Sequence, residues 1–294
     1  MNHSSSCAVN GPLACDIASL SAFYEVIGVP DGASLFGAPN PLLHSPSSST
    51  PKLLGIPDDW FARAEPGVQK LCRSFIDRLV SMHNYKVVPI TIPFLPEGQL
   101  AHAMTVLTDA ATLLPITKNL TPANRIMIAL GTVTPATDYL LAQKLRQLLM
   151  QHLAYLWKEY PGMIIMTPTT ACAGWPIRNK NELKYGISDG NQTLKTMEYV
   201  WMANFLGLPS LSVPAGFVVP EGEKGEGEVA GENVEGRVPC GLMAMGEWAS
   251  EDQLLRFGLD TESIGLDRQA RPKIWVDVIE KAREVMKNNG GNDA

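Results

Sequence analysis

K-L-L-G-I at Lys52 to Ile56, P-G-V-Q-K-L-C-R-S-F-I-D-R-L-V-S-M at Pro66 to Met82 and K-V-V-P-I-T-I at Lys86 to Ile92 follow one another with only short gaps between them. The first and third are short apolar runs with the character of buried strands. The middle one places Val68, Leu71, Cys72, Phe75, Ile76, Leu79 and Met82 at helical spacing, with a proline at its start. A strand, a helix and a second strand in this order make a crossover unit. Its right-handed connection leaves the two strands parallel in one sheet.

Working outward, Met163 to Met166 (M-I-I-M) is continuously apolar, as a central strand covered on both faces must be. Leu208 to Pro214 and Cys240 to Gly246 read as further strands. Helical spacing is expected over Asp16–Ile27, with Ile17, Leu20, Tyr24 and Ile27 on one face, over Glu97–Leu114 and over Thr121–Leu130. It is clearest over Thr137–Trp157, where Leu141, Leu145, Leu148, Leu149, His152 and Leu156 share a face. Asn191–Phe205, Glu251–Ile264 and Pro272–Lys287 complete the set, and residues 30–51 carry loop chemistry.

These elements define an α/β fold with a mixed, largely parallel sheet flanked by helices. No repeat or linker divides them, so residues 10–287 are expected to form a single domain. Within it, 218–239 reads as an acidic Gly/Glu-rich surface insert, and 288–294 as a frayed tail.

Charged residues make up 18% of the chain and the net charge is −6. That balance, with no cluster of Lys and Arg interleaved with aromatics, excludes nucleic acid as a partner. The polar start has no signal-peptide pattern, and no apolar stretch reaches the roughly 18 residues needed to span a bilayer. A soluble cytoplasmic protein with no membrane partner is expected. The cysteines at 7, 15, 72, 172 and 240 are scattered without a C-x-x-C pair, so they read as reduced, with no metal site and no cofactor implied.

The most specific local feature is Thr167-Pro168-Thr169-Thr170, directly after the apolar run 163–166. Ligands of open α/β sheets gather beyond the carboxyl ends of strands, where hydroxyls orient polar groups, although such threonines also serve plain turns. His102 and His152 sit on helices and read as structural histidines. Cys172 follows the threonine turn, but no local signature supplies it with a base. The glycines at 222, 225 and 227 imitate a phosphate loop in spacing only. Ser4–Ser6 and Ser47–Ser49 lie where nothing can position a base for them.

Seven blocks together resemble the amidase-signature family, and especially its fungal acetamidase-like members. G-P-L-A-C-D-I-A-S-L at Gly11 to Leu20 resembles the family's helix start, and K-L-L-G-I-P-D-D-W-F at Lys52 to Phe61 the strand that opens its next segment. In the family's order there follow I-P-F-L-P-E-G-Q-L-A-H-A-M (Ile92 to Met104), T-P-A-T-D-Y-L-L-A (Thr134 to Ala142) and M-T-P-T-T (Met166 to Thr170). N-F-L-G-L-P-S-L-S-V-P-A-G (Asn204 to Gly216) and G-E-W-A-S-E-D-Q-L-L-R (Gly246 to Arg256) complete the series. The resemblance covers about residues 10–265.

It implies hydrolysis of a carboxamide through an acyl-serine, using a lysine, a bridging serine and a nucleophilic serine. In the family these precede the G-P-L-A block. Nothing in the ten residues before Gly11 matches them, so no catalytic residue is carried over, and the chain is expected to be the C-terminal part of an incomplete amidase-signature fold, inactive alone. The resemblance further implies that Gln99, Met104, Thr167, Thr169 and Thr170 face the acyl group of a small-molecule amide in a complete enzyme. It also leaves self-association through an exposed strand edge as an expectation. The alternative is a stable non-catalytic protein that binds an amide-like ligand or a partner chain.

Overall fold

The computed structural model describes residues 6–28, 51–114, 116–174, 180–185, 189–220, 237–264, 276 and 278–289. Helix α1 (Ile17–Ile27) is capped by Asp16, whose carboxylate accepts the Ser19 N–H. Then come β1 (Leu53–Ile56), the short α2 (Asp58–Phe61), α3 (Pro66–His83) and β2 (Lys86–Pro89). Helices α4 (Leu95–Leu113), α5 (Pro122–Thr132) and α6 (Ala136–Glu159) lead to β3 (Met163–Pro168). Beyond it lie α7 (Glu182–Tyr185), α8 (Gly190–Thr196), α9 (Trp201–Leu206), β4 (Ser210–Val218), β5 (Val238–Met245), α10 (Glu251–Ser263) and α11 (Val278–Asn289).

The strands form one sheet in the order β2-β1-β3-β5-β4. Strands β2, β1 and β3 are mutually parallel, as the crossover argument requires, and β5 runs antiparallel to both β3 and β4. Four strands therefore point one way and β5 the other, which is the mixed, largely parallel sheet expected from the sequence. All six residues of β3 are buried.

Helix α3 packs on β3, β4 and β5, and α10 packs on β4. Ile17 and Leu255 close the space beside Leu211, tying α1 and α10 to β4. Helices α4, α5, α6 and α9 pack on one another. Two indoles join this layer to the sheet: Trp157 Nε1 donates to the Met163 carbonyl at 2.8 Å, and Trp248 Nε1 to the Leu206 carbonyl at 2.9 Å. Their rings meet edge to face at 5.4 Å. Where α5 crosses α4, a Cβ on Gly131 would stand 2.0 Å from the Leu107 carbonyl oxygen, so only glycine permits that approach.

Several expectations need correction. The buried face of α6 is Ala142, Leu149, Leu153, Leu156 and Trp157, whereas Leu141 and Leu148 are 61% and 47% exposed. The leucine-rich helix carries more than one apolar stripe, and packing selects among them. Met82 and Ile27, at the ends of their helices, are likewise exposed. The helix expected over Asn191–Phe205 is broken into α8 and α9. The break lets Tyr199 turn inward, where its hydroxyl donates to the carbonyls of Trp60 and Phe61.

Thr167 and Pro168 belong to β3 itself rather than to a turn after it. Strand β2 stops at Pro89, which has no N–H to offer. Val218, Val238 and Pro239 are strand, so the acidic stretch is shorter than 218–239, and residues 221–236, with the glycines at 222, 225 and 227, lie outside the described residues. Helix α11 runs on to Asn289, past the expected start of the tail, and 290–294 are outside the described residues, as are Ser4, Ser5 and Ser47–Ser49. Among the described residues, no helix is long and apolar enough to cross a membrane.

His102 on α4 is buried, edge-on to Phe205 at 6.1 Å. Burial, and then the charge of Arg146, pull its pKa down to about 4 from 6.5. As pH falls, the unfolded chain takes up this proton before the folded one does. His102 therefore stabilises the fold above pH 6.5, and this contribution is lost as pH falls from 6.5 towards 4. Urea unfolding between those pH values is expected to show a slope of about 1.4 kcal/mol per pH unit from this group. His102→Gln should flatten that part of the curve.

Candidate functional site

Strand residues alternate between faces, and residues paired across neighbouring strands share a face. Thr167 on β3 and Ser212 on β4 are both paired with Met243 on β5, so all three lie on one side of the sheet with Gly241, two residues before Met243. Strand β3 delivers Thr167 to the middle of the sheet, fully buried. At the rim, Ser210, Ser212 and Pro214 on the same side of β4 are exposed.

Just past the carboxyl end of β3, the Thr169 N–H donates to the Gly241 carbonyl at 2.9 Å. Its hydroxyl reaches across β5 to the Ser212 hydroxyl, with 2.7 Å between the oxygens. A Cβ on Gly241 would meet Thr169 Oγ1 at 2.6 Å and Ser212 Oγ at 2.8 Å, so the missing side chain is what lets the two hydroxyls join over the middle strand. Beside the pair lies an open hollow of about 220 Å³, lined by Ser212, Val213, Pro214, Pro239, Cys240 and Gly241. That is below the roughly 300 Å³ at which small-molecule pockets begin, so it fits part of a ligand rather than a whole one.

The loop that follows is held from several sides. The Thr170 hydroxyl donates to the Cys172 carbonyl at 2.8 Å. Glu65 accepts the Ala173 N–H at 3.3 Å and pairs with Lys195 at 2.7 Å, and the Glu65 N–H donates to the Ala171 carbonyl. Cys172 is buried, and burial raises its pKa, so it rests as a thiol and lacks the character of an activated nucleophile. Burial likewise pushes Cys240 up to about 12. Among the described residues no disulfide joins any of the five cysteines, and only Cys15 is exposed.

The threonines and the α4 residues are not drawn into one cluster by direct bonds. Gln99 donates to the Leu194 carbonyl at 3.1 Å, joining α4 to α8, and Met104 packs against the main core. Among the described residues, no hydrogen bond links either to Thr167–Thr170. His152 bonds through Nε2 to the Thr91 carbonyl at 2.8 Å, in keeping with a structural role. Sequence reasoning misses Ser212, although the alternation Ser210–Ser212–Pro214 at the start of a strand is a signal that could find it. Among the described residues, no group of three or more His, Cys, Asp or Glu side chains is arranged to hold a metal ion.

What this geometry defines is an open α/β scaffold with hydroxyls gathered at the carboxyl end of its central strand, a layout suited to orienting a polar group of a ligand. The sequence profile of the family described as Amidase matches residues 2–255, and the chain belongs to that family. It is similar to a fatty acid amide hydrolase of Arabidopsis thaliana, 28% identical over 92% of this chain and 44% of the relative. An amidase of Pseudomonas putida is 28% identical over 55% of this chain and 36% of its own length. Among solved structures, the crystal structure of an amidase superposes with a TM-score of 0.63 at 20% identity, over 86% of this chain and 52% of the other. The chain thus spans about half the length, or less, of these relatives.

The Thr167 hydroxyl is buried without a hydrogen-bond partner among the described residues. Such an orphaned group costs about 1 to 3 kcal/mol. Thr167→Val keeps the branched shape and removes the orphan, so it is expected to raise stability by about 1 kcal/mol, roughly 2 °C in melting temperature. A thermal melt of the variant checks this.

Proposed function

We propose that this chain supplies the acyl-facing wall of an amide hydrolase, in which a carboxamide C–N bond is cut through an acyl-serine. In this reading none of these 294 residues takes the part of the lysine or the serines of that chemistry. The observation that carries the reading is the Thr169–Ser212 hydroxyl pair seated over Gly241 at the carboxyl end of β3, beside an open hollow. Gln99 and Met104 on α4 and Thr167, Thr169 and Thr170 at the sheet are the residues we assign to the substrate side. A pair of hydroxyls can orient a carbonyl or an amide N–H, but it cannot attack a carbonyl without a positioned base.

Residues 10–287 act as one unit in this reading, supported by a sheet that draws strands from Leu53 to Met245. We place the protein in the cytoplasm, with a small amide as its ligand. The outer edge of β4 is the surface for self-association, since no strand covers it among the described residues. The plant relatives named for fatty acid amides make an amide with an apolar acyl chain the first ligand to try.

Two measurements test this. Purified chain, assayed against simple carboxamides and anilides alongside Cys172→Ala, is expected to show no turnover. Hydrolysis by the chain, with contaminating hydrolase excluded, would overturn the proposal, and its loss in Cys172→Ala would assign that activity to the thiol. Calorimetric titration with a long-chain acyl amide is expected to show binding that weakens about fivefold in Thr169→Val or Ser212→Ala, the worth of one neutral hydrogen bond. Binding indifferent to both changes would remove the hydroxyl pair from the site.

A further inference from the structure

At the opposite end of the sheet, where β1 and β2 begin, a second set of polar side chains converges. His83 is the last residue of α3, and Asp260 and Ser263 occupy the last turn of α10. The Ser263 Oγ lies 2.7 Å from His83 Nε2, and His83 Nδ1 lies 3.4 Å from Asp260 Oδ1. Asp260 is itself fixed through its other oxygen, which accepts from Lys52 Nζ at 2.7 Å and from the Tyr85 hydroxyl at 2.8 Å. The imidazole and carboxylate are mostly buried, at 18% and 23% side-chain exposure, whereas Ser263 is exposed.

We propose that Ser263, His83 and Asp260 form a reactive site apart from the hydroxyl pair, a serine–histidine–aspartate relay that takes small activated carboxylic esters and organophosphorus esters. The order of contacts is what the chemistry needs: a hydroxyl on one imidazole nitrogen and a carboxylate on the other, the carboxylate held by two further donors. In the tautomer that carries its proton on Nδ1, on the Asp260 side, His83 has Nε2 free to accept the serine proton. The same hydroxyl also lies 2.8 Å from the Asp260 carbonyl, so its proton has two acceptors, of which the imidazole is the basic one. The 3.4 Å separation between His83 and Asp260 is loose, as such contacts often are before a ligand binds.

With a fluorophosphonate, Ser263 Oγ forms a bond to phosphorus and the P–F bond breaks. Fluoride leaves, and the hydroxyl proton passes to His83 Nε2 and then to water. With an aryl ester, Oγ bonds to the carbonyl carbon while its proton passes to His83 Nε2, and the bond to the aryl oxygen breaks as that oxygen takes the proton and leaves as a phenol. Water then gives a proton to the freed nitrogen as its oxygen bonds to the carbonyl carbon, and the Oγ–carbon bond breaks as Ser263 recovers the proton, releasing the acid. Ser263 stands at the carboxyl end of a helix, where carbonyls rather than N–H groups point outward. An oxyanion there has no helix-end donors, which restricts the site to substrates with good leaving groups and keeps it apart from amide cleavage.

The test is to treat the purified chain with a fluorophosphonate and locate the adduct by peptide mass spectrometry. The expected result is an adduct on Ser263 that is absent from Ser263→Ala and forms roughly a hundredfold more slowly in His83→Gln, the ordinary worth of a general base. Carbethoxylation of the histidines in folded wild-type chain should slow it likewise, which decides the matter even where His83→Gln misfolds. Absence of an adduct on Ser263, or an adduct that forms at the same rate after His83 is replaced or blocked, would overturn the proposal and leave these residues as a tie between two helix ends.

Discussion

Strand β3 is hydrogen-bonded along both edges, to β1 on one side and β5 on the other, and none of its six residues reaches solvent. A segment in that position has to be apolar on both faces and must find a partner for each backbone group within the sheet. Its surroundings follow from that requirement. Trp157 folds back to cover the strand's first carbonyl, and α3 lies against it. Thr167 is the one hydroxyl inside the strand, buried and without a partner among the described residues, whereas the hydroxyls of Thr169, Thr170 and Ser212 collect where the strand runs out.

The two ends of the sheet are built differently. At the carboxyl end of β3 the groups are neutral hydroxyls and backbone amides, with one ion pair, Glu65–Lys195, holding the loop. At the other end a single carboxylate, Asp260, accepts from Lys52 and Tyr85 and faces His83. The first arrangement suits a ligand that is itself neutral and hydrogen-bonding. The second concentrates charge on a few partly covered atoms, where electrostatic effects are stronger than in bulk water.

The sequence reveals those features that depend on neighbours along the chain. The crossover from β1 through α3 to β2 can be read because its apolar spacing changes from strand to helix and back within a short stretch. The buried run at Met163 is equally plain. Features decided by packing cannot be read in this way. Nothing local tells which leucine stripe of α6 meets the core, because Leu141 and Leu149 are equally apolar and only the position of the neighbouring helices separates them. The break before α9 depends on carbonyls at Trp60 and Phe61, nearly 140 residues away. At the candidate site the threonine turn is visible in the sequence, while Ser212 becomes a partner only once β5 lies between the two strands with a glycine at the crossing point. His83 and Ser263 are 180 positions apart and share no motif.

The reversed strand has a bearing on how this chain tolerates change in length. Because β4 and β5 are antiparallel neighbours, Val218 and Val238 already face each other across a ladder that continues to Ser210 and Met245. Whatever joins them begins and ends at nearly the same place, and doubling such a connection costs only about 0.6 kcal/mol in closure entropy. A parallel pair in that position would have demanded a crossover of fixed minimum span. Extra residues between β4 and β5 can therefore accumulate, or be grafted in, without disturbing the register of a single strand.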